Sequence, residues 1–256
     1  MSAADGNHGR APRNSLTDER ILAEALALVD EAGLEGLTTR ALGRRLGVDS
    51  TAVYRHFRDK DELLTALADR IVGSAGQPPA STDGDDSLRG QLRNACLCLR
   101  RALLAHPAMT PIVVRRPPRG TNSWAVTEHA LGLLRQAGFD DGDAARAYQA
   151  LLFYTLGHAM LEAPYAALEP EQAATELTAS RLTYASLPPS RYPNTAAVAP
   201  HLYGSLAEQF TYGLDRLLDG LGLGAGGHPA PRSSQSPGRL EARSRPYNPP
   251  PGVAAR

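Results

Sequence analysis

The chain has 256 residues, 42% of them apolar, and its 27 basic side chains balance 27 acidic ones. This length allows one large domain or two small ones, and the chain has no run of about 18 apolar residues that could form a membrane-spanning helix. The first residues, MSAADGNHGRAPRNSL, are polar and lack the apolar stretch of a secretory signal, so we expect a cytoplasmic protein in which residues 1–16 form a flexible arm.

The first helical pattern begins after Thr17. Apolar residues between Ile21 and Ala32 recur at spacings of three and four, which places them on one face of a helix. Two acidic residues stand in the first turn, where negative charge interacts favourably with the helix dipole. Gly33 is expected to end this helix in a left-handed conformation.

Two short helices and a longer one follow. The pattern predicts helices over Thr39–Leu46 and Ser50–Phe57, joined by a tight turn that contains Gly47. Such a pair is typical of a helix-turn-helix, in which the first helix braces the second and outward side chains of the second enter the major groove of DNA. A capping box formed by Asp59 and Glu62 predicts the start of the fourth helix.

The chemistry of this segment suits DNA, although the whole chain carries no net charge. Between residues 38 and 60 there are six basic residues and two acidic ones. In the second short helix Val53 and Phe57 are expected to point inward, which leaves six side chains outward or sideways: Ser50, Thr51, Ala52, Tyr54, Arg55 and His56. Hydroxyl and imidazole groups can bind phosphates, Ala can contact a thymine methyl, and Arg can form two hydrogen bonds to guanine. A solvated helix face is the alternative, and it is the commoner role for any one such residue taken alone.

The rest of the chain also shows helical patterns. Gly, Pro, Ser and Asp residues at 74–86 predict a linker, and therefore a DNA-binding domain at 17–73 and a second domain at 74–221. Helical patterns then recur over 88–105, 107–115, 123–137, 141–162, 170–186 and 203–221, with no alternating strand. We therefore predict an all-α fold. Residues 222–256 hold few large apolar groups and are expected to be a disordered tail.

No motif for a metal, a cofactor or catalysis is found. Cys96 and Cys98 lie two positions apart in a predicted helix, so their side chains diverge, and we interpret them as packing residues. The sequence lacks a nucleophile elbow, a phosphate loop, a paired-histidine metal motif and a glycine-rich dinucleotide fingerprint. We therefore expect no cofactor and no metal, and an enzyme is not the favoured class.

The segment LTTRALGRRLGVDSTAVYRHFRDKDELLTAL resembles the DNA-binding domain of TetR-family transcriptional repressors, in which Thr-Thr-Arg, Leu-Gly-Val, the Tyr-x-His-Phe group and the following Lys recur at these separations. Residues 134–157 and 210–221 are similar to the C-terminal domain of the tetracycline-repressor branch. The resemblance covers most of residues 17–221. It implies a repressor that binds a palindromic operator as a homodimer and is released by a small-molecule effector.

The resemblance also implies roles for particular residues. Thr39 and Arg40 would contact DNA from the second helix, the six outward residues from the third, and Lys60 would bind a phosphate. Two C-terminal helices of each chain would form the dimer, and two apolar stripes match this: Tyr148 and Leu152 on one helix, and Phe210, Leu214, Leu217 and Leu218 on another. An ordinary core within one chain is the alternative for each stripe.

The family further implies a small apolar or amphipathic effector inside the second domain. At the positions that hold magnesium and tetracycline in the tetracycline-repressor branch only Glu162 matches, so this drug is not expected. The candidate lining is Met109, Val113, Trp124, Tyr154, His158 and Glu162, of which the last three share a helix face. Two of these residues have alternative roles. His158 could be a core residue whose hydrogen bonds are satisfied within the protein, and Trp124 could simply cover the core.

A dimeric adaptor of the same fold is the competing function. It would act through protein partners, without reading DNA and without effector control. Binding to one palindrome that weakens steeply with salt would favour the repressor, because neutralised phosphates release counterions.

Overall fold

The computed structural model describes residues 16–76, 85–116 and 119–223. Over these ranges the chain forms eleven α-helices, two 3₁₀ turns and no strand, so the all-α prediction is confirmed. The helices are α1 (Asp18–Gly36), α2 (Thr39–Leu46), α3 (Ser50–Val53), α4 (Lys60–Ala75), α5 (Leu88–Ala105), α6 (Thr110–Arg115), α7 (Thr121–Gln136), α8 (Asp141–Ala166), α9 (Pro170–Ala185), α10 (Pro193–Val198) and α11 (Leu206–Gly220). The predicted arm and tail, and most of the predicted linker, lie outside the described residues apart from their edges.

Helix α1 starts where the sequence predicts. The hydroxyl of Thr17 accepts the backbone N–H of Arg20 at 3.3 Å and so caps the first turn. Gly33 has a φ of 68°, the left-handed conformation expected of it, but one further turn follows and the element ends at Gly36. The face that carries Ile21 and Ala25 is fully buried.

The helix-turn-helix forms, with a shorter second helix than predicted. Gly47 ends α2 with a φ of 71°, a conformation that costs a residue with a Cβ more than it costs glycine. Helix α3 ends at Val53 and not at Phe57, because the hydrogen bonds of Arg55 N–H and His56 N–H join residues three apart and tighten the chain into turns, although Phe57 N–H still bonds to Val53 O four residues back. Val53 and Phe57 are both buried, as predicted.

Helix α4 connects the two halves of the protein. Asp59 caps it by accepting the N–H of Glu62 at 2.8 Å, which confirms the predicted start. Its buried face, which includes Leu67 and Ile71, belongs to one core cluster that also takes in Leu103 of α5. The predicted boundary near residue 74 therefore falls at the end of a helix whose other turns are packed against both halves.

The C-terminal helices follow the predicted order with different limits. The segment 107–115 divides into a 3₁₀ turn and α6, and α8 runs past the predicted end at 162, with Pro164 inside its last turn. Helix α10 and the 3₁₀ turn after it are not predicted. A second core cluster joins α5, α7, α8 and α11.

Two further features concern burial and hydropathy. Cys96 and Cys98 are buried thiols, in agreement with a packing role, and burial raises the pKa of Cys96 to about 11. Within the described ranges no single helix has the length and apolar composition to cross a membrane, and one pair bent by 101°, Leu88–Ala105 with Pro107–Arg115, passes by length and composition only.

Candidate functional site

The outward face of the helix-turn-helix carries the predicted DNA-contacting side chains. Thr51 and Arg55 are exposed, and Tyr54 is 49% exposed although it is a large aromatic residue. Asp49 accepts the backbone N–H and the hydroxyl of Thr51 at 2.8 and 2.7 Å, and these hydrogen bonds hold the pKa of Asp49 below its usual value. The cap thus fixes the start of α3 and leaves the guanidinium of Arg55 facing solvent.

Three predicted contacts from different elements meet at one depression. Thr39 of α2, Tyr54 after α3 and Lys60 of α4 all line it, and its volume is about 240 Å³. The ammonium group of Lys60 donates to the carbonyl of Leu34 at 3.2 Å. The remaining lining is mainly apolar and includes Asp59, so the hydroxyl, the phenol and the ammonium group are the donors at this depression that can bind a backbone phosphate.

The remaining predicted contacts differ in how firmly the protein holds them. His56 is half-buried, and its Nδ1 lies 2.6 Å from Asp18 Oδ1, which leaves Nε2 as the nitrogen that can reach a phosphate. Arg40 is exposed, whereas Ser50 and Ala52 are half-buried at the start of α3. All nine predicted residues therefore lie on α2, on α3 with the turn that follows it, or at the start of α4.

A mainly apolar cavity lies between α4 and the helices of the C-terminal half. It has a volume of about 70 Å³. Its walls come from α4, α5, α6, α7 and α8, and include Ala68, Val72, Leu99, Val113, Val126, Leu152 and Leu156. Because α4 begins at Lys60, this cavity and the depression lined by Thr39, Tyr54 and Lys60 are bordered by the same helix.

Two residues that line the cavity, Asp69 and Ser123, form a helix cap that one helix supplies to another. No side chain of its own caps α7. Instead Asp69 of α4 accepts the backbone N–H of Ser123 at 2.8 Å, the hydroxyl of Ser123 at 2.6 Å and the amide side chain of Asn122 at 3.0 Å. Gly120 permits this approach, because a Cβ there would lie 2.0 Å from Asp69 Cγ. The start of α7 is therefore tied to α4.

A second tie joins α4 to the residue that follows α6. Arg116 donates to Asp61 Oδ1 at 2.6 Å and to the hydroxyl of Thr65 at 3.1 Å. The guanidinium lowers the pKa of Asp61, and the carboxylate raises the pKa of Arg116. Both Arg116 and Thr65 line the cavity.

Of the six predicted effector contacts only Val113 lines this cavity. Met109 is fully buried in the core cluster shared with α4, and Trp124 is 60% exposed on α7. The sequence reasoning missed the two arginines, Arg116 and Arg119, although the run RRPPR at 115–119 is an available signal. Their placement beside a cavity depends on how α6 and α7 meet α4.

Tyr154, His158 and Glu162 share a face of α8, as predicted, but that face meets α5 and α11. The hydroxyl of Tyr154 donates to Phe210 O at 2.8 Å, and the two rings stack at 5.3 Å. Glu162 is buried and accepts two hydrogen bonds from Arg100, at 2.5 and 3.0 Å, while His158 Nδ1 also lies against it. In this structure the three residues therefore form part of the core, away from the cavity.

The predicted dimer residues are also placed inside the chain. Phe210, Leu214 and Leu218 have no exposed surface and belong to the second core cluster. Tyr148 and Leu152 line the cavity. Leu217 is half-buried and packs against the same core. Phe210, Leu214 and Leu218 are thus covered within the one chain that the structure describes, and the role of the six residues in a dimer stays a prediction.

Other apolar side chains on the same two helices are exposed. Phe153 is 66% and Leu161 76% exposed on α8, with the exposed Gly157 between them at spacings of four, so the three share one face. Tyr212 on α11 is 71% exposed. Exposed large apolar groups on neighbouring helices are typical of a protein interface.

Comparisons with known proteins agree with this arrangement. Residues 21–67 match the family described as "Bacterial regulatory proteins, tetR family", and residues 79–223 match "Tetracyclin repressor-like, C-terminal domain". The chain is 32% identical to the class C tetracycline repressor of Escherichia coli over 81% of this chain and 91% of that protein. It is 29% identical to the repressor DrrR1 of Streptomyces coeruleorubidus, over 83% and 79%. The structure of ActR from Streptomyces coelicolor in complex with actinorhodin is 29% identical, with a TM-score of 0.70 over 83% of this chain and 99% of that one.

Proposed function

The chain belongs to the TetR family of transcriptional regulators. We propose that it acts in the cytoplasm as a repressor that binds a near-palindromic operator as a homodimer. The protein leaves the operator when a small molecule enters the cavity beside α4. The family consists of regulators and not of enzymes. The proposal rests on one observation: Thr39, Tyr54 and Lys60 line a single depression beside the exposed Arg55.

The DNA-facing residues divide into two kinds by chemistry. We call residues 50–56, which are α3 and the turn that follows it, the recognition segment. Arg55 is exposed near its end and can form two hydrogen bonds to a guanine edge. Thr39, Tyr54 and His56 each supply one donor and Lys60 supplies an ammonium group, and these groups suit phosphate oxygens. Arg55 would therefore determine which DNA sequence is preferred. The phosphate-binding residues would fix the position of the protein on any duplex.

The homodimer would form through the exposed face of Phe153, Gly157 and Leu161 on α8, together with Tyr212 on α11. Glycine at the centre of that face lets a second helix approach closely, while the large side chains on both sides are desolvated on contact. A two-fold axis through this face would give two recognition segments per dimer, as a palindromic site requires.

Effector control would act through α4. A small molecule in the cavity would contact the helix that begins at Lys60 and that is tied to the C-terminal half through Asp69 and Arg116. The solved relative in complex with actinorhodin supports a small-molecule effector for this chain as well. Tilting α4 would move the two recognition segments of the dimer relative to each other, and DNA affinity would fall.

Selection from a pool of random duplexes tests the function. The purified full chain is incubated with the pool, bound duplexes are amplified, and the winners are measured in mobility shifts at increasing salt. The proposal expects one near-palindromic sequence whose affinity falls steeply with salt concentration. Equal binding of all duplexes, or no binding at low salt, would refute it and favour the dimeric adaptor.

A further inference from the structure

The charged side chains at the cavity differ in their hydrogen-bond and ion-pair partners. Asp69 is held by the first turn of α7, whose backbone and side-chain donors use both of its oxygens. Asp61 is held by Arg116. Arg119 lines the same cavity and is exposed; its charge helps to lower the pKa of Asp61, but no carboxylate among the described residues forms a direct ion pair with it. The guanidinium donors that a ligand would find without a direct partner are therefore those of Arg119.

The part of the lining that comes from α7 and α8 offers a hydrogen-bond acceptor. Thr127 donates its hydroxyl proton to the carbonyl of Ser123 at 2.9 Å, so the 2.9 Å contact between Thr127 and Tyr148 has the phenol as donor. The phenol oxygen of Tyr148 thus keeps lone pairs that can accept a hydrogen bond from a ligand. Between this group and Arg119 the walls are mainly aliphatic.

From these groups we infer that the effector is a mainly apolar organic acid, with its anionic group bound by Arg119 and Arg116 and a hydroxyl directed at Tyr148. The inference rests on the proposed function and names the chemical class that the cavity selects. A carboxylate can accept hydrogen bonds from two guanidinium groups, and such charge-assisted bonds are strong in a site with apolar walls.

The same binding mode supplies the release step. The cavity of about 70 Å³ is smaller than the several hundred Å³ that a drug-sized ligand occupies, so its walls must move when the acid enters. An acid that takes hydrogen bonds from Arg116 competes with Asp61 for the same guanidinium. Loss of the bond to Asp61 frees the first turn of α4, one residue away from Lys60. Ligand binding and DNA binding are then opposed through one arginine.

A pair of probes that differ in charge but not in shape tests the inference. Anthraquinone-2-carboxylate and anthraquinone-2-carboxamide are titrated into the full chain by calorimetry, and each is then added to the protein bound to its selected operator. The acid is expected to bind at least about tenfold more tightly than the amide and to release the operator at lower concentration. In Arg119→Gln the preference for the acid over the amide should be reduced severalfold, because only Arg116 then remains to bind the anionic group.

The control is Arg135→Gln, which removes an exposed arginine at the far end of α7, where it pairs with Asp141. It should keep both the preference for the acid and the affinity for the operator. Equal binding of acid and amide by the wild type, an undiminished preference in Arg119→Gln, or no binding of the acid would each overturn the inference. Operator binding without probe is read separately: if it persists, only the ligand class fails, and if it is absent, the proposed function fails.

Discussion

Asp69 on α4 and Ser123 on α7 are joined by two hydrogen bonds, at 2.8 Å to the backbone N–H and at 2.6 Å to the hydroxyl. Helix α7, which has no capping side chain of its own, is thus capped by α4. The same helix α4 borders the depression lined by Thr39, Tyr54 and Lys60. A carboxylate at that point also interacts favourably with the dipole of α7. One acidic residue of α4 therefore caps α7 and adds to the packing between the two helices.

Replacing Asp69 with Ala should lower the free energy of unfolding by about 1 to 2 kcal/mol, the usual effect of losing an N-cap. Urea unfolding followed by circular dichroism measures the change. Asp141→Ala is the matched control, because Asp141 makes one 3.3 Å ion pair at an 83% exposed position, and it should cost less than about 0.5 kcal/mol. Equal losses in both variants would show that the contact to Ser123 contributes nothing particular.

Arg55 and Lys60 should differ in what their removal does to DNA binding. Arg55→Ala is expected to relax the preference at particular base pairs and to cost about 1 to 3 kcal/mol on the selected operator. Lys60→Ala should weaken binding to all sequences alike and make the salt dependence shallower. Titrations of the operator and of single-base variants distinguish the two. An unchanged base preference in Arg55→Ala would exclude a base-reading role for that residue.

The exposed and buried aromatic residues of α8 and α11 should respond differently to substitution. Phe153→Glu should leave the fold intact, because the side chain is 66% exposed, and should weaken the dimer at least about thirtyfold in analytical ultracentrifugation. Phe210→Ala should instead destabilise the chain by about 3 to 5 kcal/mol.

Leu182→Glu tests whether an added charge alone has this effect. Leu182 is 61% exposed on α9, outside the proposed face, and its substitution should leave the dimer unchanged. A dimer of unaltered affinity in Phe153→Glu would place the interface elsewhere.

Alkaline pH should reveal the buried thiol of Cys96. Burial raises its pKa from 9.0 to about 11 in the folded chain, so the thiol stays protonated there after it ionises in the unfolded chain. Its stabilising contribution is complete below pH 9, is lost between pH 9 and 11, and amounts to roughly 2 to 3 kcal/mol. Urea unfolding of the wild type and of Cys96→Ala from pH 8 to 11 measures it. Parallel pH profiles for the two proteins would contradict the prediction.

Local features of the fold could be predicted because their causes are local. The cap at Asp59 and the breaks in helical conformation at Gly33 and Gly47 depend on a few adjacent residues, and each is found where the sequence places it, although α1 continues for one turn beyond Gly33. The inward positions of Val53 and Phe57 follow from helical spacing. The early end of α3 could not be read in the same way, since the change from helix to turns preserves that inward pattern.

Contacts between helices could not be predicted from spacing alone. Spacings of four correctly place Tyr154, His158 and Glu162 on one face, but they do not say that Phe210 of α11 covers it. The stripe of Phe210, Leu214 and Leu218 would look the same in a core and in an interface. Phe153 and Leu161 gave no signal, because α8 carries apolar residues on nearly all of its sides.

The spacing of the operator tests the central claim most directly. A dimer with two recognition segments about one turn of DNA apart requires both half-sites on the same side of the duplex. Inserting five base pairs between the half-sites of the selected operator rotates one of them by half a turn. The affinity of the full chain, measured by fluorescence anisotropy, should fall at least about a hundredfold. Inserting ten base pairs instead returns both half-sites to the same side of the duplex, on a longer site. Unchanged affinity after the five-base-pair insertion would contradict a two-fold repressor that reads both half-sites at once.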